Sequence, residues 1–304
     1  MPSKKRETNR ANPLASASKV SAEATSSKQA AITKPLSVEE MKQIAKKLRR
    51  HIITMTAKAG SGHPGGSLSS VEIVTALFFN FLRHDPKDPR WPDRDRFVLS
   101  KGHAAPLLYS ALAETGYFPV AELLTLRELG SRMQGHTDMT TTPGVEMSAG
   151  ALGQGLSFGI GIALAARLDR RGYRVYVLLG DGECNEGQVW EAAMAGAHYK
   201  VDNLVAIVDR NRQQLDGWTY EVMDTEPMAE KWRSFGWYVI EVDGHDLAQI
   251  LTAFNEAKKI TGKPTAIIAH TTKGKGVSFM ENNPDFHGKA PTPEEAERAL
   301  KELE

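Results

Sequence analysis

The segment GDGECNEG, residues 180–187, places an acidic side chain between two glycines directly after an apolar run. Glycine lets the backbone turn sharply and lets a ligand come close. Thirty positions after Asp181, Asn211 follows the next apolar run. A carboxylate, an amide oxygen and one backbone carbonyl form a partial ligand shell for Mg²⁺, which usually completes that shell with phosphate oxygens. The two segments therefore predict a divalent metal that holds a diphosphate group.

Both residues also have a purely structural interpretation. Asp181 alone is a suitable helix cap, and Asn211 alone is a suitable turn residue. The spacing between them fits one strand-helix-strand unit, in which the two side chains reach neighbouring strand ends. That placement favours the metal site over two unrelated turns.

Four of the nine histidines lie beside glycine in loop-like segments, namely His63, His103, His136 and His287. A single loop histidine is usually a surface or capping residue. Four of them indicate a shared purpose, because imidazole donates or accepts a proton near neutrality and suits a sugar whose hydroxyls and carbonyl exchange protons. His245 also follows a glycine, but Asp246 behind it predicts a helix cap, so we leave it out.

The hydrophobic pattern indicates which elements position these residues. Ser37 and Glu40 form a capping box that predicts the start of the first helix. Beyond it, continuous Val/Ile/Leu runs alternate with segments of helical periodicity, which is typical of a parallel sheet covered on both faces. We predict an α/β fold, a doubly wound and mostly parallel sheet with helices on both faces, as one domain over residues 36–304.

Composition limits the classes of function. The chain has 304 residues, a net charge of +1 and no basic stripe interleaved with aromatic residues, so we expect no nucleic-acid partner. The single cysteine, Cys184, and the lack of a long apolar run favour a cytoplasmic protein without a membrane partner. Residues 1–35 carry seven Lys/Arg against two Glu and predict a disordered basic tail, with a transit peptide as the alternative.

In combination, these motifs resemble the N-terminal half of transketolase, a thiamine diphosphate enzyme. GDG followed about thirty residues later by Asn is shared among enzymes that use this cofactor. More specific is an ordered set over residues 36–291 that comprises SGHPG, DRFVLSKGH, QGH, GALGQG, VDRNRQQLDG, DGHD, TTKGKG and FHGKAP. The resemblance implies the diphosphate-binding domain of the thiamine diphosphate fold. The departures are modest: SKGH stands where S-N-G-H is more frequent in the family, G-G-S-L follows SGHP where many members have G-A-P-M, and Ala151 replaces the usual Pro in GALGQG.

The resemblance also implies roles for individual residues. The metal, Mg²⁺ or alternatively Ca²⁺ or Mn²⁺, would be bound by Asp181, Asn211 and the main-chain oxygen of Gln213. The four loop histidines would be catalytic, and His103 and His287 would also contact the cofactor. The further cofactor-binding candidates, besides Asp181 and Asn211, are Gly150, Leu152, Gly153, Gly180, Gly182, Glu186, Leu215 and Lys273. Glu186 alternatively serves the dipole of the following helix, and Lys273 is alternatively a solvated loop residue.

Transketolase polypeptides are much longer than this chain, and the glutamate that activates the cofactor's pyrimidine ring lies in a second domain. We therefore expect half an active site, completed by a C-terminal subunit that carries the pyrimidine-binding domain in an α2β2 assembly. The expected reaction transfers a two-carbon ketol group from a ketose phosphate to an aldose phosphate. The alternatives are a subunit of another split thiamine diphosphate enzyme, such as a 2-oxoacid dehydrogenase, and a non-catalytic scaffold subunit.

Overall fold

A computed structural model describes residues 35–304 of the chain. The predicted disordered tail, residues 1–35, lies outside the described residues apart from Pro35, so its order stays a prediction. The first helix begins after Ser37 as expected. The Ser37 hydroxyl accepts a hydrogen bond from the Glu40 amide, and the Glu40 carboxylate accepts one from the Ser37 amide at 2.7 Å. The capping box is thereby confirmed.

Ten α-helices lie within the described residues. Their bounds are α1 Val38–Ala59, α2 Pro64–Leu68, α3 Val71–Ala76, α4 Ala105–Glu114, α5 Gln154–Leu168, α6 Gly187–His198, α7 Thr219–Val222, α8 Met228–Ser234, α9 Leu247–Ala257 and α10 Pro293–Glu302. A π-helical turn, Leu77–Phe81, continues α3. Within residues 35–304, no helix combines the length and the apolar character needed to cross a membrane.

Five strands form one sheet: β1 Arg96–Leu99, β2 Val175–Gly180, β3 Leu204–Arg210, β4 Tyr238–Asp243 and β5 Thr265–His270. Their order across the sheet is β1-β2-β3-β5-β4, and all neighbouring pairs are parallel. The strands β1, β2 and β3 consist almost entirely of buried residues, which explains their continuous apolar runs.

Two hydrophobic cores cover the two faces of the sheet. Successive side chains of β2 alternate between them, so Tyr176 and Leu178 pack with α1, α3, α4 and α9, whereas Val175 and Val177 pack with α5, α6 and α8. Helices therefore cover both faces, and the predicted doubly wound α/β fold is confirmed.

The carboxyl ends of the strands lie along one edge of the sheet, because all five strands run in the same direction. In the register of the ladder, Gly180 pairs with Asp209, and Asp209 pairs with Ala269. The loops after β1, β2, β3 and β5 therefore emerge side by side, and they carry SKGH, GDGECNEG, the Asn211 segment and TTKGKG. The fold thus gathers motifs that are far apart in the sequence.

Candidate active site

The tips of β2 and β3 are joined by hydrogen bonds. The Asp181 amide donates to the Asp209 carbonyl at 3.2 Å, and the Arg212 amide donates to Asp181 Oδ2 at 2.6 Å. Arg212 is the residue after Asn211, so the second bond holds the Asp181 carboxylate against the segment that carries the other predicted ligand. The two strand tips point to the same place, as the sequence predicted.

Asp181 is a buried acid, with 1% of its surface exposed. Burial, and after it the negative charge of Asp209, raises the pKa of its carboxyl to about 7. A bound cation would relieve both effects, because it supplies the opposite charge at short range. The electrostatics of Asp181 therefore suit a metal ligand.

The orientation of the Asn211 amide is fixed by its neighbours. Its Nδ2 donates to Asp209 Oδ2 at 2.9 Å, and its Oδ1 accepts from the Gln213 amide at 3.1 Å. The oxygen keeps a second lone pair for a cation. Beside it, both polar atoms of the Gln213 side chain are buried without a hydrogen-bond partner in the described part of the chain. The oxygens of Asp181 and Asn211 thus fit a hard divalent cation, and the Gln213 carbonyl stays the predicted third ligand.

Glu183 is a buried acid whose role the sequence reasoning missed. Its carboxylate accepts hydrogen bonds from the Gly153 amide at 2.8 Å, from the Gly180 amide at 2.9 Å and from the Ser100 hydroxyl. Burial raises the pKa of this carboxyl above its usual value. Glu183 therefore joins the SKGH, GALGQG and GDG loops in one network, and only its position three residues after a strand end hinted at this.

Replacing Glu183 by alanine leaves three buried donors without an acceptor. We expect Glu183→Ala to lower the free energy of unfolding by about 3 kcal/mol, measured by urea denaturation. The matched control is Glu186→Ala, because Glu186 is exposed, and it should change stability by no more than about 0.5 kcal/mol. Equal effects of the two substitutions would contradict the assigned role of Glu183.

The four predicted histidines form one cluster. The ring centroid of His63 lies 5.6 Å from that of His103, 5.8 Å from that of His136 and 5.7 Å from that of His287. The rings of His103 and His287 stack at 5.1 Å. Four residues spread over 225 sequence positions thus meet in space. His245 instead accepts from the Thr272 amide at Nε2, and its Nδ1 lies 3.0 Å from Glu72 Oε2; Asp246 behind it caps α9 as predicted.

The histidines of the cluster are neutral at pH 7. Burial and, after it, the charge of Arg127 lower the pKa of His63 to about 4, and both also lower the pKa of His136. Burial and Lys273 lower the pKa of His287 to about 3. Burial and then Lys101 hold the pKa of His103 well below its usual value. Neutral imidazole can both donate and accept a hydrogen bond.

Lys273 is buried beside this cluster, so the alternative of a solvated loop lysine is wrong. Its Nζ lies 2.6 Å from His287 Nδ1 and 3.4 Å from the Gln214 carbonyl. Burial and then the charge of Lys101 lower the pKa of Lys273 to about 8, which leaves it protonated at pH 7. It places a positive charge between the histidines and the Asp181 turn.

The GALGQG loop lies between the SKGH and GDG segments. Gly150 is exposed and Leu152 is half-buried, whereas Gly153 is buried and precedes α5 in the left-handed conformation at φ 82°. A side chain at Gly153 would also meet Glu186 Cβ at 2.8 Å. The loop is held from the other side by a hydrogen bond of 2.8 Å from Gln188 Nε2 to the Leu152 carbonyl.

The remaining candidates surround the same edge of the sheet. Gly180 ends β2, and the Gly182 amide donates to Asp181 Oδ1 at 2.8 Å. Glu186 immediately precedes α6 and makes no capping hydrogen bond through its side chain. Leu215 is 62% exposed and lines, with His287, an open cleft of about 410 Å³. The cleft reaches the histidine cluster at His287.

Comparison with known proteins identifies the family. The family profile described as "Transketolase, thiamine diphosphate binding domain" matches residues 40–303. The 6-deoxy-6-sulfo-D-fructose transketolase subunit of Clostridium sp. (strain MSTE9) is 44% identical over 265 residues, which cover 87% of this chain and 96% of that protein. An apulose-4-phosphate transketolase subunit of Phocaeicola vulgatus is 45% identical over 268 residues, which cover 88% of this chain and 95% of that protein.

A solved structure shows the same fold. The transketolase of Pichia stipitis in complex with sedoheptulose 7-phosphate matches this chain with a TM-score of 0.83 and 37% sequence identity. The match covers 86% of this chain but 40% of that longer chain. By contrast, this chain spans almost the full length of the two relatives that are named as subunits. The chain belongs to the transketolase family, as an N-terminal, thiamine diphosphate-binding subunit of the split type.

Proposed function

We propose that this chain and a C-terminal partner subunit form a cytoplasmic transketolase that depends on thiamine diphosphate and a divalent metal. The reaction is the transfer of a two-carbon ketol group from a ketose phosphate to an aldose phosphate, as in pentose phosphate metabolism. The partner carries the pyrimidine-binding domain, and the assembly is α2β2. The observation that carries this proposal is the convergence of four neutral histidines beside the Asp181–Asn211 strand tips.

Asp181, Asn211 and the Gln213 carbonyl hold the metal, Mg²⁺ or alternatively Ca²⁺ or Mn²⁺, and through it the diphosphate. The GALGQG loop, Gly180, Gly182 and Glu186 would hold the cofactor, and Leu215 would contact its rings. When bound, thiamine diphosphate supplies the electron sink for cleavage of a carbon-carbon bond. Lys273 adds a positive charge near the diphosphate, which stabilises the anion.

His287 acts as a hydrogen-bond donor to the ketose. The protonated Lys273 donates to Nδ1 of His287 at 2.6 Å, and the low pKa of His287 keeps its ring neutral. The proton of the neutral ring therefore resides on Nε2, which donates a hydrogen bond to an oxygen of the substrate. His103 stacks on this ring and contacts the cofactor and the reacting ketose from the other side.

His63 and His136 bind hydroxyls of the donor sugar. Nδ1 of His63 is buried and has no hydrogen-bond partner in the described part of the chain. A buried polar atom without a partner is costly, and a sugar hydroxyl satisfies it. The ring is neutral, so this atom either accepts or donates, as the substrate requires.

The test is turnover by the chain reconstituted with its C-terminal partner, Mg²⁺ and thiamine diphosphate. Donors to compare are xylulose 5-phosphate, apulose 4-phosphate, 6-deoxy-6-sulfo-D-fructose and pyruvate, with an aldose phosphate as the acceptor. We expect turnover of at least one ketose and no turnover of pyruvate. Neither of the two chains should be active by itself.

Two outcomes would overturn the proposal. Turnover of pyruvate alone would indicate a split enzyme of the 2-oxoacid dehydrogenase class. The complex could fail to bind the cofactor in isothermal titration and keep its role after Asp181→Ala. These two results together would indicate a scaffold subunit.

A further inference from the structure

A buried ion pair lies directly behind the predicted metal ligands. Lys101 belongs to the SKGH loop after β1 and is 1% exposed, and Asp209 lies on β3 and is 0% exposed. The Lys101 ammonium donates to Asp209 Oδ2. Lys101 is also the residue at which this chain departs from the more frequent S-N-G-H of its family. None of the roles assigned above uses either residue.

The protons of Lys101 are all engaged inside the protein. Besides Asp209, its Nζ donates to the Gly66 carbonyl at 2.8 Å and to the Ser70 hydroxyl at 3.2 Å. An ammonium group has three donors, so none is left for a phosphate. Lys101 therefore acts on the site through the residues that it holds, in contrast to Lys273.

Asp209 contacts both strand tips at once. Its backbone carbonyl accepts from the Asp181 amide at 3.2 Å, and its carboxylate accepts from Asn211 Nδ2 at 2.9 Å. The carboxylate also accepts from the Ser69 hydroxyl at 2.6 Å and from the Thr271 hydroxyl. With Lys101 it receives four donors, which fix the position of its two oxygens.

The contact with Asn211 determines which atom of that amide is available to a cation. Because Nδ2 is held by Asp209, Oδ1 lies on the other side of the amide, where it accepts from the Gln213 amide. Without the carboxylate, only the hydrogen bond from the Gln213 amide would keep Oδ1 in this orientation, and a rotated amide would present nitrogen, which repels a cation. The geometry of the metal ligand thus depends on a residue that does not bind the metal.

Fold stability alone does not account for such a pair. Burying two charges costs solvation energy, and replacing a buried pair by apolar residues of similar volume is often neutral or stabilising. Groups that orient metal ligands are a different case, because their loss typically lowers metal affinity about 10- to 100-fold.

We propose that Lys101 and Asp209 are positioning residues, which orient the Asn211 amide so that its oxygen faces the metal. This inference rests on the proposed function, since it concerns the same metal site. It assigns a purpose to the lysine of SKGH, which is to keep the Asp209 carboxylate in place.

The test is the double variant K101M/D209L, in which an apolar pair of similar volume replaces the ion pair. The matched control is H51L/E114L, which replaces a half-buried pair between α1 and α4 that contacts neither strand tip. Each variant is crystallised without ligand, and neutron diffraction distinguishes the oxygen of the Asn211 amide from its nitrogen. Each variant is also titrated with Mn²⁺ in the presence of thiamine diphosphate as the complex with the partner subunit. Thermal unfolding without ligand reports the fold.

For K101M/D209L we expect a folded protein, a rotated Asn211 amide in the crystal and a metal affinity about 10- to 100-fold below the wild type. The control should keep both the orientation and the affinity. An unchanged Asn211 orientation in K101M/D209L, or an equal loss of affinity in the control, would overturn the inference. If K101M/D209L does not fold, K101M/D209V serves the same readouts, because the smaller valine also removes the acceptor of Asn211 Nδ2.

The crystal structures separate this inference from the proposed function. A wild type that binds neither Mn²⁺ nor thiamine diphosphate would contradict the proposed function. The orientation of Asn211 in the ligand-free variants would still decide whether Lys101 and Asp209 position it.

Discussion

Asp181→Asn is expected to lower turnover on the order of 10³-fold or more, with a parallel loss of metal and cofactor affinity. The substitution keeps the shape of the side chain but removes the only negative charge among the three predicted ligands. The metal site would then carry no negative charge from the protein, so the attraction that holds the cation is weakened. Isothermal titration of the complex with Mg²⁺ and thiamine diphosphate measures the loss.

The same substitution has a signature in the ligand-free chain. In the unfolded chain the Asp181 carboxyl ionises near its ordinary pKa of 3.8, whereas in the fold its pKa is about 7. Ionisation therefore opposes folding, and the wild type should lose stability relative to Asp181→Asn as the pH rises from about 4 to about 7. Urea denaturation across this range measures the difference, with Asp93→Asn, a partly exposed acid, as the control. A pH-independent difference would contradict the buried, cation-binding role of Asp181.

His287→Ala is expected to lower kcat by about 10²- to 10⁴-fold and to change cofactor affinity far less. The substitution removes the ring that accepts a hydrogen bond from Lys273 at Nδ1 and offers Nε2 to the substrate. The metal ligands are untouched, so thiamine diphosphate should still bind. Steady-state kinetics with the best ketose donor, together with the cofactor titration, separate the two effects.

His270→Ala is the matched control for this prediction, because that histidine is partly exposed and hydrogen-bonds to Glu241 and Arg210 outside the cluster. It should keep turnover within about twofold of the wild type. If His287→Ala kept the kcat of the wild type, the histidine cluster would have no part in the reaction. A loss confined to cofactor affinity would instead reduce His287 to a binding residue.

Much of the fold follows from local sequence signals. The capping box at Ser37 and Glu40 determines where α1 begins, and the Val/Ile/Leu runs mark strands that are buried on both faces. The meeting of Asp181 and Asn211 also follows from the sequence, since parallel neighbours must end at one edge of the sheet. These inferences need only periodicity and the direction of the strands.

The supporting network could not be derived in the same way. Lys101 and Asp209 are 108 positions apart, and Ser100 and Glu183 are 83 positions apart. From the sequence alone, Lys101 in SKGH and Glu183 in GDGECNEG could equally be surface residues. Only the packing of β1 against β2 brings their partners within reach. The sequence thus indicated the residues predicted to contact the ligand more readily than the residues that position those side chains.

The convergence of the histidines was less predictable from the sequence than the strand tips but more predictable than the supporting network. Each one stands in a loop whose length and direction the sequence does not specify. The placement of His63 before α2 and of His287 in a short turn opposite it brings their rings to 5.7 Å. The family resemblance predicted this meeting, whereas periodicity alone did not.

The most direct test of the central claim is the position of the metal in the complex with the partner subunit. Crystals grown with thiamine diphosphate and Mn²⁺ allow the ion to be located from its anomalous scattering. The account predicts one ion bound by the Asp181 carboxylate, Asn211 Oδ1 and the Gln213 carbonyl, between the tips of β2 and β3. An ion bound elsewhere, or a diphosphate that binds without any ion near Asp181, would contradict it.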